Sequence, residues 1–206
     1  MNIVNMMYRN IDRLYFLFFG VLDLIALTTA LAYSLNVINE YFSYFTVLSN
    51  IFISFIFIVF GVVGVRKALK IGIVRLLYGP AVLYMSITGV VFWTILHGGA
   101  GHIQLLPWVN MVLHGVTPIA AFLGWVIFSQ RDRIDYSNAY KWLLFPLFFV
   151  AYTLLRGLVV NWYPYAILNP VKAGGYIGVA GYVSEIVIGA YIMGIILIFV
   201  NNIHRK

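Results

Sequence analysis

Cysteine is absent from the 206 residues. That excludes a disulfide framework, a thiolate metal site and a cysteine nucleophile. Charge is scarce too: Asp, Glu, Lys and Arg make up 9% of the chain, against 63% hydrophobic residues. No soluble domain hides that much apolar surface, so residues 1–206 read as one integral membrane domain with no room for a second. There is no P-loop and no G-x-S-x-G elbow, hence no sequence mark of phosphate cradling or of a serine hydrolase. Internal repeats and low-complexity tracts are missing as well. Acidic residues number only six against thirteen Lys and Arg, for a net charge of +7. The basic residues are scattered at segment ends, where they set membrane orientation and do not form a nucleic-acid surface.

What remains is long apolar runs. Six segments suffice to cross a bilayer: 14–33, 41–63, 73–96, 108–128, 142–160 and 177–200. The expected fold is therefore all-α, a bundle of six transmembrane helices in the cell membrane. RKALK (66–70) and QRDRIDYSNAYK (130–141) form two of the connections and are basic, as are both termini; eleven of the thirteen Lys and Arg fall on that side. The positive-inside rule then puts both termini in the cytoplasm. Trp93, Trp108 and Trp162 fall at the outer boundary and Trp125 and Trp142 at the inner one, as an aromatic belt would. Arg9, Arg13, an apolar run and Ala30-Leu31-Ala32 have the outline of a signal peptide, but Asp23 interrupts the apolar core and argues for a retained helix. Pro80, Pro118 and Pro146 lie within the segments, where each removes a backbone bond; Pro118 frees the carbonyl of His114.

Ionisable groups inside a membrane cost roughly 2.5–3.5 kcal/mol each at mid-helix and mark function by default. Here they are Asp23, His114, Arg156 and Glu185. Counting about 1.5 Å per residue from the outer boundary puts Arg156 at ~6 Å, Thr46 at ~8 Å, His114 at ~9 Å, Glu185 at ~12 Å and Asp23 at ~15 Å. Thr46 and Asn50 in YFSYFTVLSN share a helix face, and so do Asn110 and His114. Each residue also has an ordinary structural use. Thr46 can bond its own i−4 carbonyl, Asn50 and Ser49 can glue helices, Arg156 can snorkel, and Arg156 can pair with Glu185 or Asp23. Convergence at one depth favours a site over five separate coincidences.

Several chemistries fit poorly. Haem in a bundle usually needs a pair of axial ligands, and only His114 is well inside a helix. His97 and His102, in HGGAGHIQ, could join His114 around a metal, but they lack ligand spacing and a nearby carboxylate. No metal and no cofactor is expected. GGAG (98–101) reads as a turn.

FTVLSN (45–50), the H-x-x-x-P of LHGVTPIAAFLGWVIF (113–128), and RGLVVNWYPYAILNP (156–170) followed by GGY (174–176) come in a characteristic order and spacing. On these motifs, across nearly the whole length, the chain resembles the bacterial Pr6Pr membrane proteins, six-helix proteins. These are distantly similar to the animal androgen-induced-gene and androgen-dependent TFPI-regulating proteins. The animal proteins are intramembrane threonine hydrolases of fatty-acid esters of hydroxy fatty acids, using a threonine on one helix and a histidine on another. The resemblance implies Thr46 as nucleophile and His114 as base. The wider helix-two motif differs, with Ser49-Asn50 where the animal proteins have other residues.

The residues then suggest a division of roles. A threonine hydroxyl needs a base within hydrogen-bond reach, and His114 is the only histidine at that depth. Asn50 is placed to donate to an oxyanion, and Asn110 to orient His114 or serve the same end. Arg156 could hold a lipid carboxylate. Asp23 or Glu185 could polarise His114 or balance Arg156. The expected partners are membrane lipid and a lipid ester. Two alternatives remain open: a proton-linked transporter or channel through Asp23, Glu185, Arg156 and His114, and a non-catalytic lipid-binding protein.

Overall fold

The computed structural model describes residues 3–96, 105–128 and 132–203, with side chains from residue 10 onward. His97, His102 and GGAG lie outside the described residues. Six helices are each long and apolar enough to cross a membrane. They are α1 (Ile3–Tyr33), α2 (Phe45–Val63), α3 (Gly72–Leu96), α4 (Pro107–Phe128), α5 (Asn138–Val160) and α6 (Gly175–Ile203). No strand occurs among the described residues.

α1 to α4 close into a ring, α1 on α2, α2 on α3, α3 on α4 and α4 back on α1; α6 lies against α3 and the first turn of α5. Small residues let these helices approach, as lipid-embedded packing requires. At Gly61 on α2 a Cβ would lie 2.7 Å from Leu17 Cβ and 2.8 Å from its Cα on α1. A valine there must push two backbones apart. We expect Gly61→Val to lower stability by about 1–3 kcal/mol. Thermal unfolding in detergent checks this against Gly72→Ala, where a Cβ meets nothing within 4 Å.

One end of the bundle holds an aromatic core. Phe16 packs at a tilt or edge-on against Phe57 and Phe60 at 5.1 and 5.0 Å, Phe60 edge-on against Tyr78 at 4.7 Å, and Tyr78 edge-on against Trp125 at 5.1 Å. Trp125 and Trp142 are therefore not belt residues. Both are buried, and Trp125 donates from Nε1 to the Leu197 carbonyl at 2.9 Å. Their rings fill space between α3, α4 and α6, and sequence position alone cannot tell a boundary tryptophan from a core one. Trp93 and Trp108 are exposed, as a belt requires.

Local chemistry moves several helix ends. α2 starts at Phe45, four residues later than expected, because residues 38–41 form a separate turn and Tyr44 is extended at φ −90°, ψ 130°. α2 stops at Gly64, whose φ of +83° suits glycine, with its N–H on the Phe60 carbonyl. Pro146 does not kink a continuous helix. It sits in the first turn of the Leu144–Val160 stretch, just after a break at Leu143, and the carbonyl it leaves is that of Trp142. α1 and α6 run beyond their apolar cores, to Ile3 and Ile203.

Candidate functional site

The site lies at the end of the bundle away from the aromatic core. Its first part is the start of α2. Thr46 is the second residue of that helix, closer to the end than the sequence count suggested, and so sits where backbone N–H groups lack helical partners and the helix dipole is positive. Its Oγ1 lies 3.1 Å from His114 Nε2. It does not take the i−4 carbonyl bond that an isolated membrane threonine favours, since the extended Tyr44 separates it from the turn at 38–41.

His114 is held by the irregularity of α4. Residues Val112–Val116 form a π-helical turn, with Thr117 N–H bonded to the Val112 carbonyl. In that register the next donor, at position 118, is proline and has no N–H. Two carbonyls are left over, and both are used. Leu113 O accepts from Asn50 Nδ2 at 3.2 Å, and His114 O accepts from Trp93 Nε1 at 2.9 Å. The imidazole Nδ1 donates to the Asn110 carbonyl at 3.1 Å, which assigns the proton to Nδ1 and leaves the Nε2 lone pair facing Thr46. Phe92 stacks on the ring at 3.9 Å and 21°. A Cβ at Gly89, one turn before Phe92, would lie 2.9 Å from Pro118 Cβ, so the glycine allows α3 close enough for that stacking.

The other sequence candidates divide. Asn50 is fully buried, but both its N–H groups are spent, on Thr46 O at 2.7 Å and on Leu113 O. It ties α2 to α4 and is not free to donate to an oxyanion; its Oδ1 has no partner among the described residues. Asn110 orients His114 through its backbone carbonyl, not its amide. Asp23 is buried, yet it touches neither His114 nor Arg156. It accepts from Ser54 Oγ at 2.5 Å and Thr117 Oγ1 at 2.9 Å. Arg156 lies over the Trp162 ring at 5.0 Å and forms no ion pair with Glu185. Glu185 is on an exposed face of α6, beside a groove that it shares with Ser86 and Thr94 of α3. Among the described residues the ion pair is Arg75–Asp132, 3.5 Å and exposed.

Sequence reasoning missed four partners: Ser54, Thr117, Thr88 and Tyr165. Ser54 continues the Thr46–Asn50 face by one further i+4 step, and Thr117 follows His114 by three; both were readable from helical spacing. Ser49 bonds Thr88 Oγ1 at 2.8 Å and donates to Thr46 O at 3.1 Å. Tyr165 gives no periodic signal, because it stands in the 161–174 connection. Asn161 turns the chain there in a left-handed conformation, and Gly157 leaves room for the Tyr163 ring, which a Cβ would meet at 2.0 Å. Tyr165 then reaches the start of α2, where its hydroxyl accepts the Thr46 N–H at 3.4 Å. Burial raises the phenol's pKa, and hydrogen bonds to the side chain and backbone of Thr46 oppose the rise.

Thr46 opens onto a partly open apolar cavity between α2, α3, α5 and α6. Its walls include Phe45, Phe92, Phe149, Leu168, Val183 and Val187; the polar lining residues are Thr46, Thr88 and Tyr165. His114 reaches Thr46 from the opposite side, behind Phe92. The arrangement is a hydroxyl held between an oriented base and an apolar chamber. Among the described residues no group of three or more His, Asp or Glu gathers as a metal site would require. In comparisons with known proteins, no family model, no curated protein and no solved structure matches this chain.

Proposed function

We propose that the protein is an intramembrane hydrolase of lipid esters, with Thr46 as nucleophile and His114 as general base. The observation that carries the reading is the 3.1 Å contact between Thr46 Oγ1 and a His114 whose other nitrogen is fixed on a carbonyl. A nucleophile, a base in reach and a third group that orients the base form the general pattern of activated hydroxyl catalysis. Nε2 takes the hydroxyl proton as Oγ1 attacks the ester carbon. It returns that proton to the departing alkoxide, leaving an acyl-threonine. Water, deprotonated by the same nitrogen, then attacks the acyl carbon, the Oγ1–acyl bond breaks, and Nε2 returns the proton to Thr46 Oγ1 as the acid leaves. The apolar cavity beside Thr46 offers room for an acyl chain arriving from the bilayer. The resemblance to the animal threonine hydrolases selects the same two residues. A lipophilic fluorophosphonate tests the reading: an adduct on Thr46, found by mass spectrometry and lost in His114→Ala, supports it, and a folded protein that takes no label overturns it.

The protein acts, in this reading, in the cell membrane with both termini cytoplasmic and the Thr46 end of the bundle at the outer face. The absence of cysteine makes that readable. Val171→Cys, in the exposed 161–174 connection, reacts with an impermeant maleimide in intact cells; Asp132→Cys, at the opposite end, reacts only after permeabilisation. The reverse pattern inverts the orientation.

A further inference from the structure

Hydrolysis of an ester through a threonine needs a donor to the oxyanion, and among the described residues few donors near Thr46 are left. Both Asn50 N–H groups are bonded to carbonyls. Ser49 donates to Thr46 O, so in the Ser49–Thr88 pair Thr88 is the donor and its hydrogen is spent. Trp93 Nε1 is held by His114 O. Thr88 and Tyr165 are the polar side chains of the described residues that line the cavity with Thr46; the phenol of Tyr165 bonds the Thr46 side chain in the substrate-free protein, and its hydrogen is the one that a carbonyl oxygen bound at Thr46 can take over. The Thr46 N–H points at the same spot, since it is bonded to the Tyr165 oxygen.

We infer that Tyr165 is a catalytic residue, its hydroxyl donating to the carbonyl oxygen of the ester that Thr46 attacks, beside the Thr46 backbone N–H. The inference rests on the hydrolase reading above. As the Oγ1–carbon bond forms, the carbonyl π pair moves to oxygen, and that oxygen accepts from the Tyr165 hydroxyl and from the Thr46 N–H beside it. The Thr46 proton goes to His114 Nε2, on the far side of the hydroxyl, so base and oxyanion donor do not compete. When the tetrahedral adduct collapses, the pair returns, the ester C–O bond breaks and His114 protonates the alcohol. Tyr165 keeps its proton throughout. Its ring is braced edge-on by Tyr44 at 5.6 Å, so the hydroxyl is positioned before substrate arrives.

The test uses the purified full chain in detergent with p-nitrophenyl octanoate and an alkyl trifluoromethyl ketone, which forms a hemiketal oxyanion on the nucleophile. Tyr165→Phe keeps the ring and removes the donor. It should lower kcat by about 100-fold or more with KM within about threefold of wild type, and weaken the ketone by a similar factor. Tyr165→His, which returns an N–H donor, should regain part of kcat. Tyr165→Phe with unchanged kcat and ketone affinity, in a protein where Thr46→Ala is inactive, overturns the role of Tyr165 and leaves the hydrolase reading standing. Wild type with neither turnover nor ketone binding overturns both. A Tyr165→Phe protein that loses its thermal unfolding transition assigns the residue to the fold, unless Tyr165→His folds and carries the kinetic signature.

Discussion

Thr46→Ala should remove fluorophosphonate labelling and lower ester turnover by about four orders of magnitude or more, while the protein still unfolds cooperatively near the wild-type temperature. The size follows from what the hydroxyl does. With no nucleophile there is no acyl-threonine, and only the background from binding and polarisation remains. The fold should survive because Asn50 and Ser49 hold the Thr46 backbone carbonyl and the Thr46 N–H donates to Tyr165, while the partners of the hydroxyl, His114 and the Tyr165 phenol, keep their other contacts. His114→Ala should fall about as far, and the double variant little further, because nucleophile and base act as a unit. Thr46→Ser tests the nucleophile from the other side: it keeps an oxygen at the same place and should keep measurable labelling. Single-turnover kinetics on the purified variants read all four. Full labelling of Thr46→Ala would remove the nucleophile assignment, and additive losses in the double variant would separate the two residues into independent roles.

The helical architecture was legible because apolar runs of bilayer length admit few alternatives. Thr46 and His114 were legible because a hydroxyl and an imidazole are costly in an apolar segment and because the two share a depth. The π turn at Val112–Val116 was half legible: Pro118 announced a freed carbonyl, but the sequence could not say that Leu113 would be freed too, or that Asn50 and Trp93 would take the two. Whether Arg156 pairs with Glu185 was not legible, for a physical reason. Depth along a helix says nothing about azimuth: Arg156 lies over Trp162 and Glu185 stands on an exposed face of α6, so the two do not meet. Tyr165 was invisible because its position depends on how a connection folds back, which no periodicity records.

Asp23→Leu should be the most destabilising single change at the centre of the bundle, whereas Asp23→Asn should be mild. The carboxylate accepts two hydroxyl hydrogens, from Ser54 on α2 and Thr117 on α4, and is fully buried between them. Leucine removes both acceptors and strands two buried hydroxyls, each worth about 1–3 kcal/mol when unpaired. Asparagine keeps the shape and one acceptor oxygen, so about 1 kcal/mol of loss is expected. Thermal unfolding in detergent reads the difference. The same pair of variants separates this reading from proton-linked transport. If Asp23 is a strut between α1, α2 and α4, Asp23→Asn keeps Thr46 labelling, since Thr117 is one turn from His114 and Ser54 one turn from Asn50 and both remain anchored. If Asp23 carries protons, Asp23→Asn is the variant that fails, because an amide cannot exchange a proton as a carboxyl does. A folded Asp23→Asn protein that loses all activity, with Asp23→Glu restoring it, would therefore move the function of this bundle from Thr46 to Asp23.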